Sequence, residues 1–355
     1  MTRTVFLVAS LIFSVIVFIW FSFSLTEDQQ PISTAGYRCP PCAMACDELT
    51  FEKDGVCPHC NMNLIMDLKV NPLNEINLIE GSGNFLIDGG GENEDKTIRI
   101  FYHLPENFNT HSKVLLVLHG AGRNGNDYRD AWVEASEKYG VLVLSPQYSD
   151  KDYPQFWNYN LAGMIEDVEI NADRTSMVDF KINQDTKEWI FNDFDRIFEL
   201  VKNRLGMSSE TYDLFGHSAG GQVLHRFAIF NANNNADRIL AANSGWYTVP
   251  DIKDAFPVGL KNGPATAEDL SFSKKLVIFL GEKDDADETR GDLRHTPELD
   301  KQGTHRYARG KYFYNTSKEV ALKLGKAFNW KMETIPGVGH DYIKMSKAAA
   351  AYLYE

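Results

Sequence analysis

Three short stretches, far apart in the chain, carry the residue types that perform nucleophilic catalysis together. Gly216-His217-Ser218-Ala219-Gly220 has the form G-x-S-x-G, whose small residues let the chain turn sharply and hold a hydroxyl clear of the backbone. The segment YDLFG before it has strand character and AGGQVLHRFAIF after it reads as a helix, so Ser218 sits at a strand–turn–helix junction. A helix start offers free N–H groups and a positive dipole end to a developing oxyanion. A serine hydroxyl attacks only when a base takes its proton. His340, after the strand-like METIPGV, is the expected base. The strand-like LVIFL ends in Gly281-Glu282-Lys283-Asp284-Asp285, which puts carboxylates at the sheet edge where sites collect. Asp284, first after the turn, is the expected orienting acid, ahead of Asp285 and Asp287.

The stretch VLLVL runs into His119-Gly120-Ala121-Gly122, a glycine-rich loop able to supply a second oxyanion donor. The backbone N–H groups of Ala121 and Ala219 are the expected pair. His119 is expected to bond within its loop rather than act as a base. His295, His305, Arg306 and Arg309 fall between acid and base, and either recognise substrate or lie at the surface. No cofactor is needed for this chemistry.

A second kind of chemistry is confined to the N-terminal part, where all five cysteines lie between Cys39 and Cys60. Cys39-Pro40-Pro41-Cys42 and Cys57-Pro58-His59-Cys60 form two C-x2-C pairs separated by fourteen residues. Such pairs make tight knuckles whose four sulfurs converge on Zn²⁺ or another soft metal. A module this small cannot build a sufficient core, so bound metal would supply folding energy. Disulfides and thiol–disulfide exchange are the alternatives. Cys46 makes the count odd and is either a free thiol or an alternative ligand.

The chain has 355 residues, of which 43% are hydrophobic and 24% charged, so it can bury a large core and is neither disordered nor a multi-span membrane protein. Its net charge of −13 argues against nucleic acid, whose binding requires clustered cations. Val5–Leu25 is apolar and free of charge, with Arg3 before it and Glu27 and Asp28 after it. That pattern predicts an uncleaved membrane anchor within residues 1–30, with the catalytic part extracytoplasmic. A cleaved signal and a secreted protein are the alternative, since Ser33-Thr34-Ala35 resembles a cleavage site. A polar linker, Thr26–Gly36, leads to the cysteine module at 37–70, and the catalytic domain is expected over 80–355.

Within that domain strand-like and helix-like segments alternate. Strands are expected at Thr97–Leu104, Lys113–His119, Val141–Ser145, Tyr212–Gly216, Ile239–Asn243, Lys275–Leu280 and Lys331–Ile335. Helices are expected at Asp127–Tyr139, Asp193–Leu205, Ala219–Phe230, Ser317–Phe328 and Tyr342–Tyr354. Apolar runs such as VLLVLHG and LVIFLG suit strands covered on both faces, and the alternation predicts an α/β, doubly wound, mostly parallel sheet. Gly81–Gly91 punctuates the start of the domain. Pro154–Lys187 interrupts the rhythm as a lid or a surface insertion.

HGAG, GHSAG, GEKDD and GVGHD occur in the order found in the α/β-hydrolase superfamily, which the chain resembles from about Asn84 to Glu355. Within it the chain is similar to secreted esterases and polyhydroxybutyrate-depolymerase-like enzymes. The resemblance implies a serine carboxylic-ester hydrolase that acts through an acyl-enzyme on a small or polymeric ester. It also implies that Asn243-Ser244-Gly245-Trp246-Tyr247 lines the acyl or alcohol pocket. The stretch YRCPPC…GVCPHCNMNLI resembles the heavy-metal-binding module of exported metal-efflux proteins. It departs at the first knuckle, where that family has Cys-Pro-Met-His; Met62, Met66 and His59 remain as donors for a soft metal. A rival reading is a metal-binding or metal-sensing exported protein whose hydrolase-like domain is a passive scaffold.

Overall fold

The computed structural model describes residues 36–40, 46, 49–51, 53–67, 74–172, 177–286 and 293–355. The expected membrane segment Val5–Leu25, Cys42 and Asp287 lie outside the described residues. Among the described residues no helix is long and apolar enough to cross a membrane. The chain divides into two units, Met1–Val70 and Asn71–Glu355.

The smaller unit is built on three short antiparallel strands, β1 (Gly36–Arg38), β2 (Thr50–Phe51) and β3 (Ile65–Asp67), in the order β2-β1-β3. Its interior is sulfur: Cys39, Cys46 and Cys57 are buried, with Phe51, Met62 and Leu64 packed around them. So few apolar groups cannot offset the entropy of ordering the segment.

The larger unit opens with a strand pair, β4 (Gly81–Asp88) and β5 (Thr97–Leu104). Then come β6 (Val114–Leu118), the helices α1 (Gly125–Asp130) and α2 (Val133–Tyr139), and β7 (Leu142–Gln147). An insertion carries the hairpin β8 (Ile165–Ile170) and β9 (Met177–Ile182). The chain continues through α3 (Phe191–Leu205), β10 (Tyr212–His217), α4 (Ala219–Phe230), β11 (Ala236–Ala242) and β12 (Lys275–Gly281). It ends with α5 (Pro297–Asp300), α6 (Arg306–Lys323), β13 (Lys331–Ile335) and α7 (Tyr342–Tyr354).

The main sheet has the order β13-β12-β11-β10-β6-β7-β5-β4. It is parallel from β13 to β7 and antiparallel at the β7-β5-β4 edge. Successive residues of β6 serve opposite faces. Leu116 and Leu118 join the core with Leu214, Phe194 and Phe227. Leu115 and Val117 join the other with Phe215, Trp132 and Met345. A strand buried on both sides needs apolar residues at every position, which is why the run VLLVL carries no polar side chain.

Several boundaries differ from those expected. The helix expected at Asp127–Tyr139 is two helices, broken at Ala131 and Trp132. The break turns Trp132 inward to an edge-on contact with Phe215 at 5.2 Å. The helix expected at Ser317–Phe328 begins at Arg306 and ends at Lys323, because His305 caps it and Gly325 turns the chain with φ 64°. Gly81–Asp88 is a full strand; Gly83 lies against the Tyr102 ring, where a Cβ would collide. In the insertion, Tyr159, Leu161 and Met164 are fully buried, so its first half belongs to the core and the hairpin projects from it.

Candidate active site

Ser218 stands between β10 and α4 with φ 58° and ψ −112°, a conformation that L-residues avoid and that a tight elbow imposes. The elbow closes because Gly216 lies against the Gly220 backbone and Gly220 against the carbonyls of Leu118 and His119. The Ser218 N–H donates to the Ala242 carbonyl at 2.9 Å. Strain at one residue is thus carried by three neighbouring strands.

His340 Nε2 lies 3.1 Å from Ser218 Oγ, and His340 Nδ1 lies 2.7 Å from Asp284 Oδ2. With Nδ1–H donating to the carboxylate, Nε2 is left to accept the serine proton. The Asp284 side chain is only 6% exposed, whereas Asp285 is exposed. The acid loop is pinned by Asp284 N–H to Gly281 O at 3.1 Å and Lys283 N–H to Val338 O at 2.8 Å.

The Ala219 amide opens α4, where no earlier turn of helix supplies an acceptor. Across from it, a Cβ on Gly120 would sit 3.7 Å from Ser218 Cβ, so the loop bearing Ala121 passes beside Ser218. That loop is held from behind by His119, which is fully buried. His119 Nδ1–H donates to Gly120 O at 2.8 Å, and its Nε2 accepts the Tyr148 N–H at 3.2 Å. Burial pushes its pKa down to about 3, so it stays neutral, and both nitrogens are engaged inside the loop.

A cleft of about 400 Å³ begins at Ala121 and is walled by Arg123, Gln155, Phe156 and Asn160. Phe156 lies under the Arg294 guanidinium at 5.4 Å. Arg294 in turn borders a second cavity of about 230 Å³, lined by Met177, Phe180, Trp246 and Phe256. The β8–β9 hairpin, through Met177 and Phe180, therefore forms one wall of this second cavity.

Some of these residues were not singled out from the sequence. His217 is buried with its ring centroid 4.5 Å from that of His340, and its Nδ1 is 3.2 Å from Tyr128 Oη. Burial, then the charges of His340 and Arg306, hold its pKa well below the usual histidine value. Asn243, expected in a pocket wall, instead bonds to the acid and base loops. Arg309 is buried and bonds the carbonyls of Gly303, Gly245 and Arg294 and the Asp300 carboxylate. It holds the chain rather than contacting solvent, and Arg306 is buried too, whereas His295 is an exposed partner of Asp300 at 2.8 Å.

No protein-family profile and no curated protein matches the chain. Solved structures do. Poly(aspartic acid) hydrolase-1 from Sphingomonas sp. KT-1 is 34% identical, with a TM-score of 0.68 over 78% of this chain and 100% of its own. The chain belongs to the α/β-hydrolase superfamily. The hydrolase is also similar to LpqC, the poly(3-hydroxybutyrate) depolymerase from Bordetella parapertussis. That structure shows 28% identity and a TM-score of 0.68 over 78% of this chain and 91% of its own. At this level the protein is an enzyme that hydrolyses esters or similar bonds.

In the smaller unit, one sulfur from each of Cys39, Cys46, Cys57 and Cys60 lies within 4.8 Å of the others. Cys46, outside both C-x2-C pairs, is thus part of the cluster; Cys42 is outside the described residues. The second knuckle is a tight loop, with Cys57 N–H bonded to Met62 O at 2.8 Å and Asn61 N–H to Cys57 O at 2.9 Å. The Cys60 thiol is pulled down to about 7, first by the Cys39 thiol 3.0 Å away and then by the Met62 backbone. Thiolates about 2.3 Å from a tetrahedral Zn²⁺ stand about 3.8 Å apart. The cluster needs only small adjustments to reach that geometry.

Proposed function

We propose that the protein is a serine carboxylic-ester hydrolase in which Ser218, His340 and Asp284 act as a catalytic triad. The observation that supports this most directly is the continuous hydrogen-bonded line from Asp284 Oδ2 through His340 to Ser218 Oγ, at 2.7 and 3.1 Å. His340 Nε2 takes the hydroxyl proton as Ser218 Oγ attacks the ester carbonyl carbon. Asp284 keeps Nδ1 protonated and stabilises the imidazolium that forms. The Ala121 and Ala219 N–H groups receive the tetrahedral oxyanion, each worth about 3–4 kcal/mol in comparable sites. His340 returns its proton to the leaving alkoxide, which departs as alcohol and leaves an acyl-serine. Water, deprotonated by the same imidazole, then releases the acid and restores Ser218.

A polymeric substrate is favoured by the presence of two clefts, one bordered by Ala121 and Phe156 and the other by Arg294 and Trp246. Both similar structures bear names of enzymes that act on polymers. The apolar stretch Val5–Leu25 favours tethering to a membrane with the catalytic domain outside the cytoplasm. The cysteine cluster suits a structural Zn²⁺ on Cys39, Cys46, Cys57 and Cys60, an ion that would supply folding energy and take no part in hydrolysis.

The test is Ser218→Ala and His340→Ala in the hydrolysis of p-nitrophenyl esters and in labelling by a fluorophosphonate. Each variant should lose at least about 10³-fold in kcat, and the double variant should be little worse, because triad members act as a unit. Near-normal turnover in the Ser218→Ala protein, or no label on the wild type, would sink the assignment.

A further inference from the structure

Arg306 is the first residue of α6, and its side chain is only 4% exposed. Its Nη1 lies 3.6 Å from Asp284 Oδ1, while the other carboxylate oxygen faces His340. The helix is fastened at that spot. Tyr307 N–H donates to the Asp284 backbone carbonyl at 3.0 Å, and His305 Nδ1 accepts the Ala308 N–H at 3.3 Å to cap the first turn. The guanidinium is therefore delivered to the acid by two successive residues of backbone geometry rather than by a flexible surface arm.

We propose that Arg306 is a positioning residue for hydrolysis: its buried guanidinium holds the Asp284 carboxylate turned toward His340, and its charge bears on the acid limb of the pH–rate profile. This rests on the triad reading above. Charges this close and this dry interact far more strongly than surface pairs, because little water screens them. The sign follows from net charge. A protonated His340 cannot accept the Ser218 proton. A nearby cation disfavours that protonated form, so its removal should move the acid limb of the rate profile to higher pH.

Other groups face the pair. From the end of β10 comes neutral His217, with Tyr128 at its Nδ1. From the loop before α7 comes Asp341, whose carboxylate is 3.1 Å from Lys344. Tyr247 feels the Asp284 charge across the pocket. One turn along α6, Arg309 is matched by Asp300 at 2.9 Å. Lys283 and Asp285 flank the acid with opposite signs. Among the described residues Arg306 is the cation within contact of the Asp284 carboxylate other than His340 itself. Its field also reaches the imidazole layer, where it helps to hold His217 uncharged.

The experiment is the pH profile of kcat/KM for wild type, Arg306→Gln and Arg306→Lys, with fluorophosphonate labelling of Ser218 in parallel. Arg306→Gln should move the acid limb up by about one pH unit and lower the plateau kcat about tenfold, with KM changed less than about twofold. Arg306→Lys, which keeps the charge on a shorter arm, should hold the limb within about 0.3 units of wild type. A merely structural role would lower the yield or plateau of both variants and leave the limb in place. A wild type without an acid limb or a Ser218 label overturns the triad reading itself. A wild-type limb that Arg306→Gln leaves unmoved overturns the role of Arg306 alone. Where the glutamine variant does not accumulate, Arg306→Met, neutral and of similar length, replaces it: a limb raised relative to wild type supports the proposal, and an unmoved limb overturns it.

Discussion

The Asn243 side-chain amide donates to the Gly339 carbonyl at 3.0 Å, one residue before His340, and its Oδ1 accepts the Gly281 N–H at 2.8 Å, three residues before Asp284. One buried residue just after β11 thus sets the spacing of the loops that bear Asp284 and His340. Its φ of 45° lies in the left-handed region, which asparagine tolerates better than most side chains.

Asn243→Asp keeps the acceptor for Gly281 and loses the donor to Gly339, leaving a buried carboxylate against a carbonyl. We expect kcat to fall about tenfold or more with KM little changed, because the misalignment affects the proton-transfer line and not the groove. Stability should fall by about 1–3 kcal/mol, the range for an unpaired buried polar group. Steady-state kinetics and urea unfolding check both, and an unchanged kcat would mean that the two loops hold their spacing without this bridge.

The two neighbouring carboxylates of the acid loop should behave very differently. Asp284 is buried and 2.7 Å from His340 Nδ1, whereas Asp285 is exposed. Asp284→Asn offers an amide where an acceptor is needed and favours the wrong imidazole tautomer, so kcat should fall about 10²–10⁴-fold. Asp285→Asn should stay within about twofold of wild type. The larger loss in Asp285→Asn would place the register of this loop one residue out.

Asp193 gives stability a pH dependence of unusual sign. It is buried, accepting from Tyr148 Oη at 3.2 Å and Arg196 Nη2 at 3.0 Å. Burial, partly offset by Arg196, raises its pKa from 3.8 to about 6. Below about pH 4 the carboxyl is protonated in folded and unfolded chains alike. Between about pH 4 and pH 6 the unfolded chain releases the proton and the folded one retains it, so stability falls as pH rises. A shift of this size corresponds to about 3 kcal/mol. Urea unfolding across that window should show wild type losing stability relative to Asp193→Asn as pH rises. A constant difference between the two proteins would show that Asp193 is ionised throughout.

The parts legible in the sequence are those where one property repeats along a short stretch. VLLVL and YDLFG announce buried strands because both faces are covered, and the glycines around Ser218 announce the elbow because the turn leaves no room for side chains. The start of α6 was hidden for the opposite reason. Its inward positions are Arg306, Arg309, Gly310, Phe313, Ser317 and Ala321, and arginines buried by hydrogen bonding do not register as an apolar stripe. The roles of Asn243, His217 and Arg306 come from contacts made across 96, 123 and 22 positions of sequence distance, counting Asn243 to Gly339, His217 to His340 and Arg306 to Asp284. No local pattern encodes such pairs. Spacing favours knuckles and so leaves Cys46 either a free thiol or an alternative ligand, whereas the fold brings it 3.8 Å from Cys39.

That cluster yields the last prediction. If Cys39, Cys46, Cys57 and Cys60 form the metal site, reduced protein should carry about one zinc per chain, and serine at any of the four should reduce this to near zero. Cys42→Ser should keep the metal, since four thiolates complete a tetrahedron. The lowered pKa of Cys60, about 7, implies that metal-free protein reacts with iodoacetamide at a rate that rises through neutral pH, and that bound zinc suppresses this reaction. Zinc analysis and alkylation followed by mass spectrometry read the two effects separately. Ser218, His340 and Asp284 all lie in the Asn71–Glu355 unit, so ester hydrolysis by that unit should persist when zinc is removed. Retention of zinc in Cys46→Ser with its loss in Cys42→Ser would return the site to the two C-x2-C pairs. Two disulfides and no metal in protein purified without reductant would replace the metal site by a covalent one.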